Sequence, residues 1–517
     1  MHRRLCVACS LTVLLEVPAY GQVSLASVTG VVSDSADAVI PGAGVRLTNV
    51  DTGIVTDGET SEAGYYTILS LVPGTYELVI VADGFRRFLR PNLRLETGQH
   101  LRIDSKLEIG ELTETVTVTS AAPAINLERG AVKGDVIVYE EIQDLPLNGR
   151  DFMNLAFLVP GVMPLWGGGG EVSFASVNGA RADQTNFFVD GISNRNPVYG
   201  GTQVRPPLDA VEEFRVETSG FSAEYGGFSG GIIGLTMRSG TNEFHGSAFE
   251  YLRNEAFDAR GFFDEDRLRL RRHQFGGTLG GPVVRNRTFF LGSFESRLQS
   301  IGRTRLGNVP TQSERLGDFS ESVNRSWQTT SGNPLPVNLN DPDRRGACNQ
   351  RVRTGCFPDN RIPAGRMEPI ALGLIDYYPL PNRDNPRFNN ISTATDDDDW
   401  YQYVVKIDQS FSAADNFSMS YQKRFNNLEN PFAGSALAIW GDETRDRRDL
   451  ISMRHTHTFS SALILEFSGG FSRQINYANS IAADFDPATI GLPVPDELDP
   501  KLRGLPRVTI QGYFPLG

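Results

Sequence analysis

From about residue 22 to residue 112 apolar and polar side chains alternate in short runs: "SVTGVVSD", "PGAGVRLTNVDTG", "GETSEAGYYTILSLVPGTYELVIVADGF" and "LRLETGQHLRIDSKLEI". Gly53, Gly64, Gly74, Gly84 and Gly98 separate these runs at the spacing of a β-sandwich. From about residue 245 onward a second set of period-two segments appears, among them "RTFFLGSFESRL", "WYQYVVKIDQSF", "NFSMSYQKRF", "LISMRHTHTF" and "ALILEFSGGFSRQINY". In the third of these, Phe417, Met419 and Tyr421 fall on one face and Ser418, Ser420 and Gln422 on the other. Strands that are apolar on one side and polar on the other predict a transmembrane β-barrel, although a water-soluble sandwich gives the same alternation. Between the two sets, residues 120 to about 240 are glycine-rich, with one short helical stretch in "EEIQDLPLNGRDFMNLAFLVPGV".

At the first junction lies "ETVTVTS": Glu114, Thr115, Val116, Thr117, Val118, Thr119 and Ser120. The three threonines share one side of a strand, with Val116 and Val118 on the other. Such a segment has free backbone donors and acceptors. It serves either as the last strand of the preceding sandwich or as an edge that a partner's sheet can take up.

The chain of 517 residues is long enough for roughly two to four domains. Its formal charge of −13 gives no basic face for phosphate contacts, so nucleic acid is not an expected partner. The start "MHRRLCVACSLTVLLEVPAYG" combines Arg3 and Arg4, an apolar run from Leu5 to Val17 and small residues at Ala19 and Gly21, the pattern of a secretory signal peptide over residues 1–21. No later stretch approaches the roughly 20 apolar residues of a membrane helix, so a membrane role must use strands. Once Cys6 and Cys9 leave with the leader, Cys348 and Cys356 remain, and in an exported protein such a pair reads as a disulfide closing a short loop.

Against this background the motif set "GVV", "PGAGVRL", "TG", "GYYTILSLVPGTYELVIVADGF" resembles the carboxypeptidase regulatory-like domain, a transthyretin-like sandwich grouped with carbohydrate-binding-like folds. From Leu145 to Asn254 the segments "SVNGARADQTNFFVDGIS" and "PLDAVEEFRVETSGFSAEYGGFSGGIIGLTMRSGTNEFHGSAFEYLRN" resemble the plug domain of TonB-dependent outer-membrane receptors, in particular the Oar-like branch. The resemblance implies a mainly β chain: a sandwich at 22–112, a TonB-box-like strand at 113–121, a small α+β plug at 122–241 and the first strands of an incomplete antiparallel transmembrane barrel at 242–517. It implies a place in the outer membrane with the sandwich in the periplasm. The partners it implies are a TonB-type periplasmic energy-coupling protein, outer-membrane lipid and a possible carbohydrate ligand. Structural roles in the plug are expected for Asn178, Gly179, Arg181, Asp190, Gly191, Glu224, Tyr225 and Gly226, with Arg181, Asp183 and Asp190 in buried ion pairs.

The function implied is energy-coupled uptake of a large ligand, an oligosaccharide, a peptide or a chelated metal, through a ligand site that the residues do not locate. The alternative is an outer-membrane-anchored adhesion or structural protein. Plugged outer-membrane transporters use about 22 strands. With about seven visible after residue 245 and one loop from about Gly302 to Asp399, the chain reads as an N-terminal piece of a longer barrel.

Enzymatic chemistry is not expected, and neither is a cofactor. The six histidines form no HExxH helix, "GGGG" at 167–170 lacks the Lys and Ser or Thr of a phosphate loop, and His455 and His457 have no carboxylate or cysteine close in sequence. The run Asp396 to Asp399 before Trp400 reads as a solvated acidic loop rather than a calcium site.

Overall fold

The computed structural model describes residues 25–110, 115–117, 125–126, 133–166, 172–196, 198, 200–221, 225, 227–260, 266–328, 334–344, 348, 354–385, 387–432, 437, 441–460, 463–480, 485–493, 504–505, 507–510 and 512–516. The leader at 1–21, the residues Glu114 and Val118 to Ser120, and Glu224 and Gly226 lie outside them.

The sandwich is built from β1 (Ala26–Asp34), β2 (Gly44–Asn49), β3 (Val55–Glu59), β4 (Tyr65–Leu71), β5 (Gly74–Val81), β6 (Arg87–Leu95), β7 (His100–Arg102) and β8 (Ser105–Leu107). One sheet runs β7-β1-β4 with β8 also on β1, and the other runs β3-β2-β5-β6. Alternation places Val45, Leu47, Leu78, Ile80 and Leu95 inward, where they meet Val28, Val32, Ile68 and Leu107 of the opposite sheet in one apolar cluster. Gly30 permits the closest approach in this core, since a Cβ there would overlap the carbonyl oxygen of Ile103 and crowd the Tyr66 ring. Both sheets also recruit residues beyond 112. β9 (Thr115–Thr117) pairs in parallel with the edge of β6, Phe88 opposite Val116, and β10 (Ile125–Asn126) pairs with β7.

The plug is a five-stranded sheet in the order β11-β16-β17-β14-β15, made of β11 (Lys133–Val138), β14 (Asn186–Val189), β15 (Ile192–Ser193), β16 (Val211–Ser219) and β17 (Ile232–Met237). A helix (Tyr139–Asp144) and the hairpin of β12 (Val162–Trp166) and β13 (Val172–Val177) accompany it. Strands β14 and β15 are joined by Asp190 (φ 47°) and Gly191 (φ 83°), the pair of positive dihedrals that a two-residue hairpin turn demands. Asn178 (φ 51°) and Gly179 (φ 76°) carry a second pair of positive dihedrals in the turn that ends β13, closed by the Ala180 amide on the Val177 carbonyl at 2.9 Å, and the Asn178 side-chain amide donates to the Thr218 carbonyl at 2.9 Å. Tyr225 is buried with its ring 5.5 Å from that of Phe188.

The wall is one antiparallel sheet in chain order: β18 (His245–Asn254), β19 (Leu270–Val284), β20 (Thr288–Gly307), β23 (Asn390–Ser412), β24 (Asp415–Asn430), β25 (Asp442–Ser460) and β26 (Leu463–Ser480). A small hairpin of β21 (Val323–Gln328) and β22 (Pro334–Pro336) belongs to the long connection between β20 and β23. Among the described residues β18 and β26 remain the edges, so the barrel is not closed. In β24 Ser420 and Gln422 are buried toward the plug while Met419 faces out, as the alternation predicts.

Two expectations are corrected here. The long loop is shorter than the sequence suggests, because β20 continues to Gly307 and β23 already begins at Asn390. The acidic run is therefore not a solvated loop. Asp396 pairs with Arg303, Asp398 with Arg297 and Asp397 with the Ser300 hydroxyl, while Asp399 accepts from the Gln299 amide at 3.0 Å. Opposite charges facing each other across neighbouring strands hold the ladder together beyond its apolar part.

Two outcomes are expected from this architecture. Because its apolar cluster lies wholly within residues 26–107, the 22–112 segment expressed alone should give a β-type circular dichroism spectrum and a cooperative melt. Gly30→Val should then lower its stability by roughly 1–3 kcal/mol through overpacking. In the exported protein Cys348 and Cys356, whose Cα atoms lie 4.6 Å apart in a disulfide, should resist alkylation until a reductant is added, as read by intact mass.

Candidate functional site: the seam between plug, wall and sandwich

The polar-in alternation of the wall delivers a ring of hydrogen-bonding side chains to the plug, and the plug answers with charges of its own. Arg150 follows Gly149 in a left-handed turn (φ 53° and 70°), which aims its guanidinium at the wall. It pairs with the plug's own Asp209, and its Nε lies 3.4 Å from Glu295 of β20. Its Cζ is 4.1 Å from the centre of the Phe249 ring of β18. The Glu295 carboxylate also accepts from Gln274 at 2.8 Å and from Gln402 at 3.4 Å. Asp151 caps the following 3₁₀ turn and accepts from Arg205 at 2.9 Å. A carboxylate withdrawn from water persists only where such donors surround it.

Further round the wall, Arg448 of β25 donates to the carbonyls of Thr202 and Gln203 at 3.3 and 3.0 Å, and Asn196 of the plug binds Gln474 of β26. The Asp190–Gly191 turn is held by two wall cations. Lys406 of β23 lies 3.7 Å from the Asp190 carboxylate and donates to the Met237 carbonyl at 2.8 Å, while Arg454 of β25 donates to the Asp190 carbonyl at 2.9 Å. Apolar contact with the wall is narrow by comparison: Leu291, Val404 and Leu450 join the plug core, and Gly470 lets Ile192 approach β26 where any Cβ would clash.

The sandwich closes the seam from the side of the short wall turns. Thr97, in the turn after β6, donates to the Glu213 carboxylate of β16 twice, from its amide at 2.7 Å and from its hydroxyl at 2.5 Å. Its hydroxyl is also 2.7 Å from that of Thr236, and its carbonyl accepts from Arg215 at 2.6 Å. Burial pushes the Glu213 carboxyl up to about 7, against the lowering effect of the Thr97 bonds and with the aid of the negative charges of Glu212 and Glu96. A second tether runs through Asn242, whose amide donates to the Asp51 carbonyl at 2.9 Å and whose side chain donates to the Thr52 carbonyl and to Asn286 of the β19–β20 turn, both at 2.7 Å. Between these contacts is a cavity of about 200 Å³ reached by Tyr76 of the sandwich, Thr236 and Met237 of the plug, and Lys406, Asp408 and Arg454 of the wall.

Of the plug residues singled out from the sequence, Asp190 enters the seam, with Lys406 as its partner. Arg181 and Asp183 pair with each other at 2.8 Å on the surface, Arg181 being 80% exposed, and not in the interior as expected. The reason is local: two residues apart around a short 3₁₀ turn, they satisfy one another without reaching the wall. Arg150, Asp209, Glu213, Glu295 and Lys406 were missed. Their signal was a charged residue at a polar-in strand position or beside a tight turn, which many solvated residues share. His455 and His457, which lacked a carboxylate in sequence, have one in space: Asp415 is 2.5 Å from His455 and 3.7 Å from His457 on the outward face. Among the described residues no group of three His, Cys, Asp or Glu is arranged to hold a metal ion.

Comparison with known proteins matches each part of this architecture. Residues 27–108 match the carboxypeptidase regulatory-like domain, residues 126–232 the TonB-dependent receptor plug domain, and residues 236–517, more than half of the chain, the outer membrane β-barrel domain. The TonB-dependent transporter Oar of Myxococcus xanthus is 26% identical over 325 residues, covering 58% of this chain and 28% of its own length. The chain thus spans little more than a quarter of that relative. Similar solved structures include the outer-membrane transporter YddB of Escherichia coli, with a TM-score of 0.41, 11% identity and coverage of 67% of this chain and 39% of that one. Another is the siderophore receptor PiuA of Acinetobacter baumannii, with a TM-score of 0.36, 12% identity and coverage of 68% and 46%. The chain belongs to the TonB-dependent outer-membrane receptors of the Oar type, in which a carboxypeptidase regulatory-like domain precedes the plug and an outer-membrane β-barrel.

Proposed function

We propose that the protein is an energy-coupled receptor that admits a large ligand, an oligosaccharide, a peptide or a chelated metal, past a plug that is pulled from the periplasm. The observation that supports this most is the chemistry of the seam. A plug held by apolar surface would lose that burial on leaving, whereas ion pairs and hydrogen bonds withdrawn from water are close to break-even once water returns. The bonds of Arg150, Lys406, Arg448 and Arg454 therefore hold the plug in place yet leave it removable.

The segment Glu114 to Ser120 is the handle in this reading. Its described part, β9, is held to β6 over three residues in parallel register. So short a pairing is easily exchanged for another sheet edge, such as that of a TonB-type periplasmic protein. Strand β6 leads at its other end to Thr97, so force applied at β9 reaches the clasp on Glu213 through one continuous strand.

Replacing Val116 with proline removes a backbone donor and fixes φ. In the natural full-length protein it should abolish energy-dependent uptake and leave ligand binding to outer-membrane preparations intact. Loss of both together would assign the strand to the sandwich alone. The clasp yields a pH dependence. A carboxyl whose pKa is raised on docking favours the docked state fully below about 4.3, its ordinary value, and that contribution is lost as pH rises to about 7. Hydrogen-exchange protection of the Thr97 amide, corrected for intrinsic rates, should fall across that window and level off above it. Glu213→Gln should flatten the profile, and an unchanged slope in that variant would dissociate Glu213 from docking.

A further inference from the structure

The outward face of the wall carries a feature that neither the plug nor the sandwich uses. On β26 the outward positions run Leu463, Leu465, Phe467, Gly469 and Phe471, their large side chains exposed, then meet a first charge at Arg473, beyond which Ile475 and the exposed Tyr477 follow. On β24 Phe417, Met419 and Tyr421 give way to Lys423. On β25 the outward positions from Phe459 to Ile451, among them His455 and His457 with their shared Asp415, give way to Asp449 and Arg447. Nine residues of a strand tilted by about 40° rise roughly 20 Å, close to the ~25 Å apolar band of an outer-membrane barrel. These first outward charges, with the rings of Phe425 and Tyr477 just beyond them as an aromatic girdle, therefore mark one edge of the hydrocarbon. It is the edge remote from the sandwich and the short wall turns, and so belongs to the outer leaflet.

The register brings these charges together. Lys423 is opposite Asp449, and Asp449 is opposite Arg473. Arg447 is two residues further along, opposite Phe425. Lys423 Nζ lies 3.3 Å from Asp449, which also accepts from the Tyr421 hydroxyl at 2.7 Å. Lys423 Nζ and Arg447 Cζ lie 4.8 and 5.6 Å from the centre of the Phe425 ring. Three cations thus surround one carboxylate on three adjacent strands, a patch about 10 Å wide with an excess of two positive charges. The neighbouring Arg445 is matched by Glu443 at 2.6 Å and adds nothing to that excess.

We propose that Lys423, Arg447 and Arg473 form a lipid-facing anion site that holds the phosphate of an outer-leaflet lipid headgroup against the wall. Charge complementarity selects the occupant. At the rim of the hydrocarbon, a cationic excess is stabilised by an anion delivered at the same depth, and a phosphate attached to acyl chains is fixed there. The guanidinium groups supply planar forks to phosphate oxygens, and the ammonium group supplies a compact charge. Asp449 spaces the cations and limits their mutual repulsion.

The test is native mass spectrometry of the detergent-purified full chain with a diacyl phosphate lipid, against the same acyl chains on an uncharged headgroup. The phosphate lipid should bind about tenfold or more tightly than the neutral one. The triple variant Lys423→Gln, Arg447→Gln, Arg473→Gln should lose that difference. Asp449→Asn, which removes the competing carboxylate, should bind the phosphate lipid more tightly than the parent, so the proposal stays falsifiable should the triple variant not fold. Equal binding of the two lipids, or unchanged binding in a folded triple variant, would overturn it. Inorganic phosphate in excess should compete only weakly, and complete displacement by it would assign the site to free phosphate instead of a lipid.

Discussion

Backbone hydrogen bonding without water is the constraint on which the rest depends. In hydrocarbon each unpaired N–H or C=O costs several kcal/mol, so a chain that crosses with strands must pair them edge to edge without interruption. The wall obeys this with long in-register ladders, and where β20 and β23 run past the apolar band their arginines and aspartates carry the pairing further. Once the ladder is fixed, the two faces of every strand are fixed with it. The outward face must suit lipid, and the inward face is left to polar residues.

That inward polarity decides how the plug can be held. Because the wall offers Glu295, Lys406, Arg448 and Arg454 together with glutamines, the plug meets it through complementary charges and carbonyls, and only a few apolar residues cross the boundary. The seam is largely buried and yet polar, and in the proposed reading that combination holds the plug in place without making its departure prohibitive. The sandwich repeats the logic on a smaller scale. Its own core is apolar and self-contained, while its attachment to the plug depends on Thr97, Glu213 and Arg215, a buried polar clasp whose carboxyl is poised near neutrality.

Close backbone approach is the second recurring device, used where two parts must touch without side chains between them. Gly30 lets β1 pass under the Ile103 carbonyl, and Gly470 admits Ile192 of the plug against β26. The Asp190–Gly191 turn depends on positive dihedrals to present one carboxylate and one carbonyl to Lys406 and Arg454.

The sequence by itself determined whatever depends on near neighbours. Period-two alternation identified the sandwich strands and the two faces of the wall, as at Phe417 to Gln422, while the motif around Gly74 carried the resemblance of the sandwich and those around Gly191 and Gly231 that of the plug. What it could not determine was which distant charges meet. Lys406 and Asp190 are separated by more than two hundred residues, and nothing local marks either as a partner of the other. Arg181 and Asp183, close in sequence and in a conspicuous motif, proved to be a surface pair, while the acidic run 396–399, read locally as a solvated loop, became part of a strand once β20 placed arginines opposite it. Only tertiary structure makes these decisions, because the energy of a charge depends on the burial and the counter-charge around it, and both are supplied by remote parts of the chain.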